Sequence, residues 1–268
     1  MKYYGLLLLS LILCLPVTQL QAQSDEQNES VEAFFQLSGL EVQIRELQGI
    51  ILSQFEDEIE LVPEHARDQI RAEITTAFDP DTLVEDARTY LLENLNSENI
   101  TIVVNWLQEP LTQKMNQLEM DSNDDVTFEK RDAYFRDMEF NPPSESRLEL
   151  LSRLESSTDA TYYLVSIITD MYLSLIRTIN PYLEADKQLS NNRIAQMRTT
   201  IMGELTTMYQ NITHAMNLFT YRDVTDSELE EYVAFYETPA GKWFADVSYE
   251  VIESVLQKSN ERLAENRN

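Results

Sequence analysis

From Val31 onward, apolar residues recur at three- and four-residue intervals over most of the chain, the period of a helix buried on one face. The first run is Val31, Phe34, Leu37, Val42 (or Leu40), Ile44, Leu47, Ile51, Phe55 and Ile59. Gly39 and Gly49 interrupt it, which leaves one bent helix or two shorter ones open. Pro63 restarts the chain, with Ile70, Ile74 and Phe78 on the next face. Asp79 before Pro80 predicts a capped helix, and Asn96 or Ser97 predicts another, carrying Ile100, Val103, Val104 and Leu107. Pro110 opens a helix with Leu111, Met115 and Leu118, and a short aromatic helix holds Phe128, Tyr134, Phe135 and Met138.

Residues 160–179 form the most apolar segment after the N-terminal leader. Their polar positions Ser166, Asp170, Ser174 and Arg177 fall on one narrow stripe, as in a helix buried on most of its circumference. Asp170 and Arg177 lie two turns apart, so pairing them needs long reach or a third group. Two charges inside a stretch of minimal spanning length argue against a transmembrane helix. Ile194, Met197, Ile201, Leu205, Met208, Ile212, Met216 and Phe219 then predict a long amphipathic helix packed along a neighbour. Thr225-Asp226-Ser227-Glu228 reads as a capping box, and Thr238-Pro239 as a cap with proline in the first turn. Between the opening segment and these helices, residues 23–30 are polar and expected to fray.

Glycine settles the class. The chain has 5 glycines in 268 residues and no Asn-Gly or Asp-Gly pair. Hairpins and βα loops need more residues able to take positive φ. The expectation is an all-α fold with no sheet.

A shift of 129 residues superimposes two stretches. Asn96 falls on Thr225, Ile100 on Leu229, Trp106 on Phe235 and Pro110 on Pro239; upstream, Leu83 meets Ile212 and Tyr90 meets Phe219. The pattern predicts two duplicated multi-helix halves, residues 23–140 and 148–268, joined by a linker at 141–147 that contains Asn141-Pro142-Pro143. The distinctive run Phe235, Tyr236, Thr238, Pro239, Gly241 and Trp243, with Trp106 and Pro110 in the first copy, is read as a structural corner between helices. Gly241 offers room for a close approach, and Trp243 begins the next buried face. In the first copy Glu109-Pro110-Leu111-Thr112 has no glycine.

Lys2, an apolar run from Leu6 to Leu15 and the small residue Ala22 describe a cleaved secretory leader, residues 1–22, too short to span a membrane. Leu13 before Cys14 is not small, which speaks against lipid attachment. Cys14 is the only cysteine, so the processed chain has no internal disulfide, and a Gram-negative periplasm is the expected destination, periplasmic or secreted. The net charge of −27 becomes one unit more negative without Lys2. So acidic a chain repels nucleic acid and anionic lipid, which need basic surface.

The segment from Asp226 through Phe235-Tyr236-Glu237-Thr238-Pro239-Ala240-Gly241-Lys242 resembles a bacterial exported family catalogued as domain of unknown function 2059. The hallmark of that family is a helix ending in Phe-Tyr-x-Ser/Thr-Pro-x-Gly-Lys. Gln36-Leu37-Ser38-Gly39-Leu40 is similar to its leucine-serine-glycine start. The resemblance implies an all-helical exported protein and supplies no activity.

Candidate chemistry is sparse. His65 and His214 lack partners at metal-ligand spacing, and no metal site, cofactor or catalytic constellation is expected. Residues 121–132 place oxygens at positions 1, 3, 5, 9 and 12 of a calcium loop, but Val126 stands where glycine is needed and Asp132 where glutamate is needed. An acidic linker is the better reading. Asp79/Asp81 read as capping residues and Glu56/Asp57/Glu58 as a solvated face. The leading expectation is a non-enzymatic protein binding an apolar small molecule or a protein segment in a groove between its halves. The alternative is a metal-independent carboxylate/tyrosine enzyme using Asp170 and Arg177. A solvent-reached pocket holding those two residues favours the enzyme, and an apolar groove without convergent polar groups favours binding.

Overall fold

Side-chain caps set six of the helix starts. The computed structural model describes residues 17–54, 56–60, 62–122 and 127–265, and among them there is no strand. Phe55, the centre of the proposed calcium loop (123–126) and residues 1–16 of the expected leader lie outside the described residues. The expected cleavage point after Ala22 falls within α1 (Val17–Ser38), which also takes in the polar residues 23–30. Gly39 breaks the chain with φ +74°, a left-handed conformation that costs a side-chain-bearing residue and suits glycine. The chain then continues through Gly49 without a break as α2 (Leu40–Gln54). Of the two alternatives on this helix, Leu40 is buried and Val42 is exposed.

After α3 (Glu56–Glu60), Pro63 precedes α4 (Glu64–Ala77). Asp79 accepts a hydrogen bond from the Thr82 amide and opens α5 (Pro80–Glu93). Asn96 accepts from the Asn99 amide and opens α6 (Ser97–Leu107), and α7 (Pro110–Ser122) follows across a proline corner. α8 (Phe128–Asp137) sets Tyr134 and Phe135 edge-on against Phe219. Phe128, expected on that apolar face, is instead 61% exposed, because the face in use is the one turned to Phe219.

Ser144 caps α9 (Glu145–Thr158), so the second helical stretch begins within the expected linker. Asp159, at φ 48°, turns the chain into α10 (Ala160–Ile179). Nine of its 20 residues are buried, Thr169 and Thr178 among them, but Tyr162 and Leu164 are 56% and 40% exposed, so less of its circumference is covered than the pattern predicts. α11 (Asn191–Thr220) packs chiefly along α10. Its predicted stripe is only partly used: Ile194 and Phe219 are buried, whereas Met208 and Ile212 are 47% and 44% exposed. Periodicity marks a stripe without saying how much of it meets a partner.

The capping box at Thr225 and Glu228 is formed, and α12 (Asp226–Tyr236) follows it. Thr238 accepts from the Gly241 amide at 3.0 Å and starts α13 (Pro239–Glu265). α13 has 27 residues and is about 40 Å long. It packs on α4, α5 and α6 on one side and on α9, α10 and α12 on the other. Its buried Val247, Val251, Val255 and Leu263 belong to one continuous core with Ile70, Ile74 and Leu91. Charged groups reinforce the seam: Asp86 receives Lys258 at 3.2 Å and Arg262 at 2.6 Å.

Helix pairings recur along the chain. α1 packs on α6 as α9 packs on α12, and α2 packs on α5 as α10 packs on α11. α6 and α12 each run 11 residues from a side-chain cap to a corner followed by proline. The correspondence fades upstream, where Leu83 is buried and Ile212 exposed. At the corners, Trp106 lies flat on Phe235, with centroids 3.7 Å apart and planes 7° from parallel. Tyr232, Tyr236 and Phe244 complete the cluster around Trp106.

The two corners differ in tightness. A Cβ on Gly241 would lie 2.1 Å from the Phe235 carbonyl oxygen and 2.6 Å from the Tyr236 Cα. Only glycine lets α12 and α13 meet this closely. At the matching position of the first corner Thr112 is accommodated, fully buried.

Candidate ligand-binding site

A cavity of about 360 Å³ lies among α2, α7, α9, α11, α12 and α13. Leu40 and Gln43 of α2 and Asn116 and Glu119 of α7 form one wall. Leu154 and Glu155 of α9 and Tyr221 just after α11 contribute a second. Tyr232 and Tyr236 of α12 with Phe244, Ser248 and Tyr249 of α13 close the back. The motif around Pro239 thus reaches the cavity through Tyr236 and Phe244, while Trp243 packs on Phe34 and Thr238 stays in its cap.

Glu119 is the unexpected member. Thr112, Met115 and Ser122 are buried on the inward face of α7, and Glu119 shares that face at helical spacing. Its Oε1 accepts from the Tyr221 hydroxyl at 2.6 Å and from the Tyr232 hydroxyl at 2.8 Å. The Tyr236 hydroxyl is 3.4 Å from that of Tyr232. Because Tyr232 has one proton and gives it to the carboxylate, Tyr236 donates to Tyr232, and the hydroxyls form a relay ending on Glu119. Burial pushes the Glu119 carboxyl above the usual carboxylate range, and the two tyrosine hydrogen bonds oppose this only in part. Tyr221 and Tyr232 are pushed well above the ordinary phenol value by burial and by Glu119 beside them. Burial raises Tyr236 and Tyr249 as well.

On the facing wall, Glu155 Oε1 accepts from the Thr161 amide at 2.8 Å. Its Oε2 is buried and has no hydrogen-bond partner among the described residues. The cavity adjoins a wider trough of about 1000 Å³ beside the Ser38-Gly39 break, and Ser38, Gln43, Asn116 and Glu119 belong to both. Asn116 braces this neck by donating to the Leu37 carbonyl at 3.1 Å.

Asp170 and Arg177 lie elsewhere, on the wall of an open cleft of about 390 Å³ between α10 and α13. The third group is Arg198 of α11, whose Nε and Nη2 hold the two Asp170 oxygens at 3.0 and 3.1 Å, with Nη2 also donating to Ser166. Tyr163, on the same cleft, donates to Asp246 and is pushed up to about 12, mainly by burial. Tyr249 lines both this cleft and the cavity.

Among the described residues, no cluster of three or more His, Cys, Asp or Glu side chains is placed to hold a metal ion, and His65 and His214 are exposed. Asp79 caps its helix, Asp81 pairs with Arg45 and Glu56 with Arg71. Among the described residues no helix is long and apolar enough to cross a membrane.

Sequence reasoning foresaw aromatic residues at the corner and missed Glu119, Glu155 and Tyr221. The signal for Glu119 was present: it falls four residues after Met115 and seven after Thr112, on the face that should be apolar. Measured against the criterion set from the sequence, the groove has convergent polar groups and an open cleft does hold both Asp170 and Arg177, so plain apolar binding is not what the geometry shows.

The family described as "Uncharacterized protein conserved in bacteria (DUF2059)" matches residues 222–266, the stretch that contains α12 and α13. No curated protein and no solved structure matches the chain.

Proposed function

We propose that this chain is an exported, non-enzymatic binding protein that holds a small molecule with an apolar body in the cavity between its two helical halves. The cavity carries the reading. Its volume of about 360 Å³ falls in the range of small-molecule sites, and both halves wall it. Leu40, Leu154 and Phe244 supply apolar surface, and the tyrosine hydroxyls supply a few fixed polar contacts. Phenols raised this far stay protonated near neutral pH, so they suit hydrogen-bond donation and not proton removal.

Export rests on Lys2, the apolar run to Leu15 and Ala22, and a periplasmic destination on the single cysteine within that leader. The matched helix pairings and the stacking of Trp106 on its counterpart Phe235 support duplicated halves joined at their corners. The test is mass spectrometry of small molecules retained by the protein purified from the periplasm, for the parent and for Ala245→Phe, which fills the cavity from α13. A compound present in the parent and absent from the folded variant supports the reading. Equal recovery from both refutes it.

A second reading places a metal-independent enzyme at the other cleft, because Asp170 and Arg177 share its open wall. Arg198 already holds both Asp170 oxygens through one guanidinium, which favours a structural tie. An envelope activity that Asp170→Asn abolishes without lowering the melting temperature would move the function there.

A further inference from the structure

The cavity's wall has a charge character that the shape alone does not express. Two carboxylates, Glu119 and Glu155, reach it from α7 and α9, and no lysine or arginine lines it among the described residues. The rings of Tyr232, Tyr236, Phe244 and Tyr249 line it as well. Aromatic faces beside carboxylates attract a cation that carries apolar groups, because ring quadrupole and carboxylate act with the same sign. An anion of equal size meets repulsion from both. We propose that the occupant of this cavity is an organic ammonium ion with an apolar or aromatic body; this rests on the cavity being a small-molecule site.

The unpaired oxygen of Glu155 is the second, independent observation. A buried acceptor without a donor costs stability, and native proteins keep few of them. Oε2 is closed off from the cavity itself, so a cation in the cavity compensates the Glu155 charge through space and not by a hydrogen bond to that oxygen. Glu119 is arranged differently: Tyr221 and Tyr232 fix its Oε1, which orients the carboxylate at the neck shared with the outer trough. A bare metal cation fits less well. Hard metals need several oxygen ligands converging within coordination distance, and no such cluster occurs among the described residues. The chain's net charge of −27 also favours the encounter with a cation.

The experiment compares three benzyl probes by calorimetry on the full processed chain: benzyltrimethylammonium, its uncharged carbon isostere neopentylbenzene, and the smaller anion phenylacetate. The expected result is binding of the cation about tenfold or more tighter than the neutral isostere, with the anion weakest. Glu155→Gln, which keeps the shape of the side chain, should remove most of that preference while leaving affinity for neopentylbenzene unchanged. If the neutral isostere binds as well as the cation, or if Glu155→Gln leaves the preference intact, the ammonium assignment is overturned and the small-molecule cavity stands. If none of the three binds, both fall. If Ala245→Phe binds the cation as tightly as the parent does, the ion sits on the acidic exterior and the assignment is wrong.

Discussion

Replacing Gly241 with alanine adds one methyl group at the tightest point of the fold. The new Cβ would lie 2.1 Å from the Phe235 carbonyl oxygen, 2.6 Å from the Tyr236 Cα and 2.7 Å from the Phe235 carbonyl carbon. All three are backbone atoms, so no side-chain rotation relieves the clash. Ordinary contact between heavy atoms lies near 3.5–4.0 Å, so α12 and α13 must separate by about 1 Å or more. Overpacking of this kind costs about 1–3 kcal/mol, and the rigid neighbours put Gly241 at the upper end. Alanine's better helix propensity returns at most about 1 kcal/mol. A net loss of about 2 kcal/mol follows, which for a chain of this size lowers the melting temperature by roughly 4–8 °C. Differential scanning calorimetry measures it. Gly203→Ala is the control, because the same methyl group there meets nothing within 4 Å. In the exposed middle of α11 it should raise stability by up to about 1 kcal/mol. If Gly241→Ala melts at or above the parent, the close approach of the two helices is not real and the argument for a structural corner fails.

Trp106→Ala removes the ring stacked on Phe235 and should cost about 3–5 kcal/mol, read as a lower urea midpoint with unchanged slope. A loss under about 1 kcal/mol would mean that the stacked corners contribute little to the fold. Glu119→Gln tests the buried carboxylate. Its folded pKa is raised, so its contribution to stability is fully present below the ordinary carboxylate value and is lost as pH rises through the folded value. The amide oxygen still accepts from Tyr221 and Tyr232 without titrating. The variant should therefore match the parent near pH 4 and gain on it steadily toward pH 8 in thermal melts; a gap that stays flat or closes with rising pH contradicts the burial argument.

What the sequence made legible is what is encoded locally. Asp79, Asn96 and Thr225 cap helices through hydrogen bonds spanning three residues, so the pattern and the geometry coincide. Gly39 and Gly49 looked alike, and only the folded chain separates them: one takes positive φ and the other continues a helix. The site was opaque for the opposite reason. Glu119 meets Tyr221 and Tyr232 from 102 and 113 residues away, and nothing near it in the chain announces them. Asp170 shows the same limit on a smaller scale, since it is held by Arg198 of the next helix, 28 residues away.

The position of α13 bears on the order of events during synthesis. It covers the faces of α4, α5 and α6, yet every one of those helices is made well before it. Its ties reach back 160 residues from Glu250 to Tyr90, 172 from Lys258 to Asp86 and 185 from Arg262 to Ala77. Contacts so distant form slowly, because the loop must close before they repay it. Until α13 arrives, Ile70, Ile74 and Leu91 lack their cover, and the emerging chain presents open apolar faces. A polypeptide wired this way completes its core only once α13 has been made.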